Sequence, residues 1–215
     1  MEKKFAGALT AMGMICLSMA AAGTALGGNT SATGYVAHLG PLNSKVTGSD
    51  ASGEATFSIK GDELTIAIDA KGLPPGIMHL QHFHGFKNNR AATCPTATAD
   101  ANGDGIIDLI ETEPMSGTTM VPFHDDPASM QIVRDTYPKA SADGSYHYEK
   151  TVSLSALKAA FTKTFKDPEL DLDKRVVYIH GIFPNTKLAD SVASLGKIPA
   201  QVTLPIACGK IERTP

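Results

Sequence analysis

The sequence has no excess of positive charge, no internal repeat and no linker-like segment. Lysine and arginine together number 19, aspartate and glutamate 22, and the formal net charge is -3. A chain with this balance lacks the basic surface that nucleic acid requires, so nucleic acid is not the expected partner. Because no repeat, long charge run or linker divides the chain, the sequence predicts one domain with a sizeable core.

Long apolar runs are also scarce, and the clearest one lies at the amino terminus. Lys3 and Lys4 precede an uncharged stretch, residues 5–22, that consists mainly of Ala, Met, Leu and Gly. This order is typical of a secretory signal peptide, with cleavage near Ala25 and a mature domain over residues 26–215. An uncleaved membrane anchor is the alternative, since about 18 apolar residues just cross a bilayer. Cleavage predicts a secreted or periplasmic protein without a membrane contact.

Only three cysteines are present, and the predicted signal peptide contains one of them. Cys16 leaves with that segment, so Cys94 and Cys208 are the cysteines of a mature protein that folds in an oxidising compartment. The sequence therefore predicts one disulfide between them. Two buried free thiols are the alternative.

Alternation of apolar and polar residues predicts a mainly β structure. Residues 55–73 alternate on both sides of Gly61-Asp62, which is the pattern of a β-hairpin with one buried face. Further strand candidates are separated by Gly, Pro, Asn and Asp, a spacing that favours an antiparallel sandwich or barrel. One segment differs, because apolar residues recur at helical spacing between Ser153 and Pro168 and predict one short helix. The further strand candidates are residues 34–42, 81–86, 144–154, 175–183 and 200–211.

Three of the seven histidines fall within residues 79–85. In a strand, side chains two positions apart project from the same face, so His82 and His84 point together while Phe83 points the other way. Two neighbouring imidazoles suit copper or zinc, and a third ligand must then come from a distant strand, for which His180 is a candidate. A half-exposed surface pair of histidines is the alternative.

Three stretches of the chain resemble copper/zinc superoxide dismutases, in the same order. Residues 72–86 are similar to the strand that carries the paired copper ligands of that family. Residues 175–181 are similar to its second copper strand, and residues 205–211 to its C-terminal cysteine strand. The overall composition is also similar to that of secreted bacterial proteins of the CHRD-domain or dismutase-like type.

The resemblance implies a Greek-key antiparallel β-barrel or sandwich, and it implies roles for the matching residues. His82, His84 and His180 match copper-binding histidines, whereas His79 matches a histidine of mainly structural role. The two mature cysteines match the disulfide that ties the loop after the paired histidines to the last strand.

Two features of that family are absent from their expected places. No histidine follows Cys94 where a residue bridging copper and zinc is expected, and the later cluster of zinc histidines is missing, which argues against zinc. His124 is the candidate to replace the bridge after a long insertion and to act as a further copper ligand. Pro205 stands where the family has an arginine that attracts the anion, which argues against strong electrostatic steering of superoxide.

The insertion contains a motif of its own, DANGDGIIDLIE, at residues 100–111. It matches the twelve-residue calcium loop, in which oxygen ligands alternate along the chain and a glycine, here Gly105, permits a sharp turn. Pro95 and Pro114 leave little room for the flanking helices of a calcium sensor, so a structural clip is favoured; an acidic turn that binds nothing is the alternative. The predicted calcium ligands are Asp100, Asn102, Asp104, the Ile106 carbonyl, Asp108 and Glu111.

Three functional classes fit these patterns. The first is a copper enzyme that dismutates the small anion superoxide, and the second is a copper-binding protein without catalysis. The third is a calcium-stapled interaction module. Fold resemblance alone does not establish an activity, so the arrangement of the histidines has to distinguish these classes.

Calcium is expected to stabilise the folded protein through residues 100–111. Extracellular calcium loops bind at about 10⁻⁴ to 10⁻³ M, so millimolar calcium should raise the melting temperature, and Asp104→Ala should abolish that rise. Thermal unfolding with and without calcium measures both effects. An unchanged melting curve of the native sequence in calcium would contradict the prediction.

Overall fold

The computed structural model describes residues 32–48, 50–167 and 169–215. The predicted signal peptide, residues 1–25, lies outside the described residues. None of the helices in the described ranges is long and apolar enough to cross a membrane. The strands are β1 (Thr33–Pro41), β2 (Ser52–Lys60), β3 (Glu63–Lys71), β4 (Gln81–Gly85), β5 (Thr118–Pro122), β6 (Tyr146–Ser153), β7 (Val176–His180) and β8 (Pro205–Arg213). The helices are α1 (Ser44–Thr47), α2 (Leu109–Ser116), α3 (Leu154–Phe165) and α4 (Ala200–Thr203).

The eight strands form one antiparallel sheet in the order β5-β4-β7-β8-β1-β2-β3-β6. β1, β2 and β3 make a meander, after which the chain crosses to the other end of the sheet for β4 and β5 and then returns to add β6 beside β3. These are Greek-key connections. The sheet curls into a half-barrel whose end strands, β5 and β6, do not pair with each other in the part of the chain described. The predicted all-β fold class is confirmed.

The hairpin of β2 and β3 forms as its alternating pattern predicts. All nine residues of each strand pair, from Ser52 with Lys71 to Lys60 with Glu63. Gly61 opens the connecting turn at a φ of 60°, a left-handed conformation that glycine adopts without strain. Burial alternates along both strands, so one face of the hairpin lies in the core.

β4 and β7 are buried on both faces, unlike the hairpin. On the inner face Phe83 packs in the core, with its ring centroid 6.0 Å from that of Phe123 and 6.4 Å from that of Phe161. The outer face would meet water, but the connections between β4 and β5, between β5 and β6 and between β7 and β8 cover it. Side chains that point away from the core, including those of His82 and His84, are therefore buried as well.

The structure differs from the sequence-based prediction in the number of helices. The predicted helix is confirmed as α3, where the Ser153 hydroxyl accepts a hydrogen bond from Ala156 N. In place of one short helix, the described residues contain four. The helix α2 forms although Pro114 lies inside it, because Asp108 and Glu111 make a reciprocal capping box at its start.

Two strand boundaries also differ. The first residues of the predicted strand 200–211 form the single helical turn α4, and β8 begins only at Pro205. The sequence analysis does not identify β5, a five-residue edge strand that is too short to show an alternating pattern. The other predicted strands correspond to β1, β4, β6 and β7.

The predicted disulfide between Cys94 and Cys208 is present. It joins the connection after β4 to the middle of β8, with a Cα–Cα distance of 5.8 Å. One of the three connections that cover the outer face of β4 and β7 is thereby attached to the sheet.

Loss of the disulfide is expected to lower the free energy of unfolding by about 4–5 kcal/mol, because the bridge closes a loop with a sequence separation of 114 residues. The double variant Cys94→Ala, Cys208→Ala, studied by urea unfolding, measures this loss. Reduced protein of native sequence is the control for the alanine side chains. Equal stability of the oxidised protein and both thiol-free forms would contradict the prediction.

Candidate metal centre

Three histidines converge on the outer face of the sheet. His82 and His84 project from β4 and His180 from the end of β7, and their candidate ligand atoms all lie within 4.8 Å of one another. The ring centroid of His82 is 4.6 Å from that of His180 and 4.8 Å from that of His84. This arrangement follows from strand pairing: His82 lies opposite Tyr178 in β7, and His180 is two residues further along on the same face.

The three rings are buried and uncharged at neutral pH. Burial lowers the pKa of His82 well below its usual value, and the neighbouring His180 and His84 lower it further. Burial and the proximity of His180 lower the pKa of His84 to about 3, and burial lowers the pKa of His180 to about 4. Because neutral imidazole is the form that binds metal ions, the site is ready to coordinate at pH 7 without losing protons.

Hydrogen bonds orient two of the rings. Nδ1 of His180 donates to the Thr203 carbonyl at 2.6 Å, which leaves the lone pair on Nε2. Nδ1 of His84 donates to the Gly117 carbonyl at 3.2 Å, and its Nε2 accepts from the Thr119 hydroxyl at 3.0 Å. Because a hydroxyl group can rotate away, this second bond does not prevent Nε2 from binding a metal. Backbone carbonyls accept only, so they determine which nitrogen of each ring carries the proton.

Two ring nitrogens of the group have no hydrogen-bond partner. Nδ1 of His82 and Nε2 of His180 are both buried and unpaired. A buried polar atom without a partner costs about 1–3 kcal/mol, which a bound metal would offset. For zinc, nitrogen–metal bonds of about 2.0–2.1 Å need ligand nitrogens within roughly 4.2 Å of one another. The present spread is close to that, so these residues fit a copper or zinc ion.

Tyr178 supports the site and was not identified from the sequence. Its ring centroid lies 4.7 Å from that of His84, and its hydroxyl donates to Ser116 Oγ at 2.6 Å. Ser116 in turn donates to the Thr93 carbonyl at 2.8 Å, next to the disulfide. Side chains two positions apart in a strand lie on the same face, so the sequence could have placed Tyr178 beside His180.

His79 and His124 lie outside the group. Nδ1 of His79 is 3.0 Å from the His180 carbonyl and its Nε2 is 3.0 Å from the Pro74 carbonyl, so His79 braces the backbone of a candidate ligand. The expectation that His124 is a further copper ligand has to be corrected. Its Nε2 donates to the Gln131 carbonyl at 2.7 Å and its Nδ1 accepts from Asp126 N at 3.0 Å, and it is not one of the three histidines whose candidate ligand atoms converge.

The carboxylates of residues 100–111 are directed at backbone N–H groups. Asp100 accepts from Gly103 N at 2.8 Å and Gly105 N at 2.9 Å, while Glu111 accepts from Ala101 N at 2.8 Å and Asp108 N at 3.1 Å. Within the described ranges, the three histidines are the one group of His, Cys, Asp or Glu side chains placed to share an ion. Calcium binding by this loop stays a prediction.

The same loop contacts the connection between β7 and β8. Asp104 Oδ2 accepts from the Ser191 hydroxyl at 2.5 Å, and Asp108 Oδ2 accepts from Ala193 N at 2.7 Å. These bonds hold the segment that leads to Leu195. The insertion therefore helps to position one of the covers of the histidine group.

A cavity of about 120 Å³ opens beside His82 and His180. Arg134 also lines it, and its Nη2 is 3.2 Å from Asp125 Oδ1, so the guanidinium charge is already paired. A larger groove of about 960 Å³ lies elsewhere along β2, β3 and β6, and it is an open surface feature without buried metal ligands. The smaller cavity is the one that His82 and His180 line. Its apolar walls include Leu80, Leu109, Ile132, Leu195, Ile198 and Val202.

Comparisons with known proteins give a limited match. No protein-family model matches the chain, and no curated protein matches it. Among solved structures, the chain is similar to a Cu/Zn superoxide dismutase from Brucella abortus, with 20% identity over 85% of this chain and 100% of that chain, and a TM-score of 0.41. The likeness to CHRD-domain proteins stays a prediction. The candidate ligands are therefore assigned from the geometry described above.

Acid is expected to destabilise the metal-free protein from about pH 6.5 downward. Histidines in the unfolded chain have a pKa of about 6.5, whereas the pKa values of His84 and His180 in the folded protein are about 3 and about 4. Between these pH values the unfolded state binds more protons, so the free energy of unfolding falls as the pH falls, by up to about 1.4 kcal/mol per pH unit for each such histidine.

Urea unfolding of the metal-free protein from pH 7.5 to 4.5 measures this dependence. His84→Gln should make the free energy of unfolding depend less steeply on pH. His147→Gln, at an exposed position, is the matched control and should leave that dependence unchanged. A free energy of unfolding that stays constant between pH 6.5 and 4.5 would contradict the prediction.

Proposed function

We propose that this protein binds one copper ion through His82, His84 and His180. One observation carries the proposal: three buried, neutral histidines converge, and two of them have ring nitrogens without any other partner. The alternative of a half-exposed surface pair is not supported, because each of the three side chains is less than 9% exposed. Copper, when bound, would supply one-electron redox chemistry.

The donor set favours copper over a structural zinc ion. Structural zinc sites have four protein ligands, whereas this group offers three nitrogens and borders a cavity. For a given nitrogen site, affinity among divalent ions is highest for copper, which the Irving–Williams order places above zinc. With His124 engaged elsewhere, nothing in the described residues supports a second, bridged zinc ion beside the first.

Dismutation of superoxide is the enzymatic activity that fits such a site, and we expect it to be weak. The reaction converts two superoxide anions and two protons into dioxygen and hydrogen peroxide. An anion would approach through walls that are mainly apolar, and the nearby Arg134 is already paired with Asp125. Weak attraction of the anion lowers its encounter rate. Metal binding is therefore the primary function proposed here, and catalysis is secondary.

A secreted or periplasmic location is proposed together with this function. The disulfide between Cys94 and Cys208 supports it, because such bonds persist in oxidising compartments. Copper in such a compartment would meet a site whose ligands are already neutral at pH 7.

Copper is expected to bind at one equivalent, and each of His82→Ala, His84→Ala and His180→Ala should weaken binding strongly. Loss of an outer residue that only orients a ligand lowers affinity about 10–100-fold, so loss of a ligand should exceed that range. Titration against a competing chelator, with electron paramagnetic resonance of the bound ion, measures the affinity. His147→Ala, at an exposed position outside the group, is the control and should leave the affinity unchanged.

Any dismutase activity should disappear in the same three variants. Unchanged copper affinity in His180→Ala would show that the proposed ligand set is incorrect. Absence of stoichiometric copper on the folded protein would instead favour the calcium-stapled interaction module.

A further inference from the structure

We propose that the cavity beside His82 and His180 binds a small, uncharged molecule with an apolar body and one hydrogen-bonding head. The head would reach the histidine-bound metal and Thr203, and the body would fill the apolar space. This inference rests on the proposed copper site for one contact of the head, whereas the cavity and its other contacts belong to the chain alone.

The unpaired polar atoms of the protein are concentrated at this cavity. Among the described residues, three buried side-chain nitrogen or oxygen atoms have no partner: His82 Nδ1, His180 Nε2 and Thr203 Oγ1. All three residues line the same cavity. The proposed copper ion accounts for the two histidine nitrogens. Buried polar groups are nearly always paired in folded proteins, so Thr203 Oγ1 is the atom that a second ligand would satisfy.

Thr203 stands out among the helical threonines. The hydroxyls of Thr162 and Thr164 in α3 donate to carbonyls four residues earlier. The equivalent acceptor for Thr203 is the Pro199 carbonyl, which already accepts the backbone N–H groups of Val202 at 2.9 Å and Thr203 at 3.4 Å. The Thr203 hydroxyl therefore stays unpaired although the residue is only 6% exposed.

Thr203 also orients His180, a candidate metal ligand, because the Thr203 carbonyl accepts a hydrogen bond from His180 Nδ1 at 2.6 Å. His180 and Thr203 line the same cavity. A hydroxyl can donate or accept, so it can pair with either kind of head group.

The lining selects for an apolar, uncharged body. Burying a charge among apolar side chains is unfavourable without a partner, and the guanidinium of Arg134 is already paired with Asp125. An engineered apolar cavity of about 150 Å³ in another protein binds benzene. The cavity here, about 120 Å³, therefore suits a molecule of about five or six non-hydrogen atoms.

The mouth of the cavity is apolar as well. Val133 and Leu195 line it and are 75% and 50% exposed, and they are two of the four large hydrophobic side chains exposed in the described ranges. Exposed apolar residues that border a cavity mark a binding site more often than isolated ones do. An apolar molecule would gain contacts on entry that a hydrated anion would not.

Pyrazoles are suitable probes because they are neutral and have a metal-binding nitrogen next to an N–H donor. Each pyrazole is titrated into the copper-loaded protein, and its affinity is measured from the change in the visible absorption band of copper. We expect 4-methylpyrazole to bind about fourfold more tightly than pyrazole, because burial of one methyl group contributes a factor of about that size. Its isomer 1-methylpyrazole, which lacks the N–H, should bind about fivefold more weakly than 4-methylpyrazole, the factor for one hydrogen bond.

Variants of the wall separate recognition from folding. Thr203→Val keeps the shape but removes the hydroxyl, so it should abolish the preference between the two isomers and raise the melting temperature of the metal-free protein. Thr112→Val is the matched control: its hydroxyl donates to the Leu109 carbonyl at 2.9 Å, so this change should lower the melting temperature and leave the preference intact.

A second pair of variants tests the apolar mouth. Leu195→Ser should remove the advantage of 4-methylpyrazole over pyrazole without changing the affinity for azide, a small anion. Ile110→Ser alters a side chain that is 61% exposed and does not line the cavity, so it should change neither affinity.

The outcomes distinguish the cavity from the metal site. If the protein binds copper but has equal affinity for pyrazole and 4-methylpyrazole, the cavity proposal is overturned and copper binding is not. The same holds if Thr203→Val still prefers 4-methylpyrazole to 1-methylpyrazole. Failure to load copper would overturn the metal site instead. The same probes would then be added to metal-free protein, where 4-methylpyrazole should raise the melting temperature more than 1-methylpyrazole, and the absence of any rise would overturn the cavity proposal too.

Discussion

The candidate centre depends on the antiparallel pairing of β4 with β7. The register sets His82 opposite Tyr178 and brings His180 beside it on the outer face. A shift of one residue would turn the histidines toward the core and Phe83 toward the outer face, so the packing of Phe83 against Phe123 holds the register indirectly. The arrangement of the candidate ligands is therefore a consequence of core packing on the opposite side of the same strands.

Burial of the site has a separate cause. Three connections lie over the outer face and exclude water, and the disulfide attaches the one between β4 and β5 to β8. The connection between β7 and β8 is held by hydrogen bonds from Ser191 and Ala193 to the carboxylates of Asp104 and Asp108. Exclusion of water keeps the imidazoles neutral, and it also makes each unpaired nitrogen unfavourable. The same cover therefore excludes water from the sheet and leaves the buried histidine nitrogens unpaired.

The calcium-loop motif and the histidine motif are consequently linked in space, although they are separate in the sequence. Residues 100–111 brace the segment that carries Leu195, which borders the cavity next to His180. The walls of that cavity are mainly apolar, and the one guanidinium that lines it, on Arg134, is paired with Asp125. The cavity therefore attracts a small anion only weakly. In the functions proposed for this site, the three histidines would bind the metal, whereas Thr203 and the apolar walls would select the second ligand.

Local periodicity by itself determined the hairpin around Gly61, the helix α3 and the common face of His82 and His84, because each depends on neighbours a few residues apart. The presence of only two cysteines outside the predicted signal peptide was enough to predict the disulfide. Only the tertiary structure decided that the histidines are buried, that His124 faces other partners, and that Thr203 is left unpaired. Those features depend on strand register and on which long connection covers which face, and these long-range contacts leave no periodic trace in the sequence.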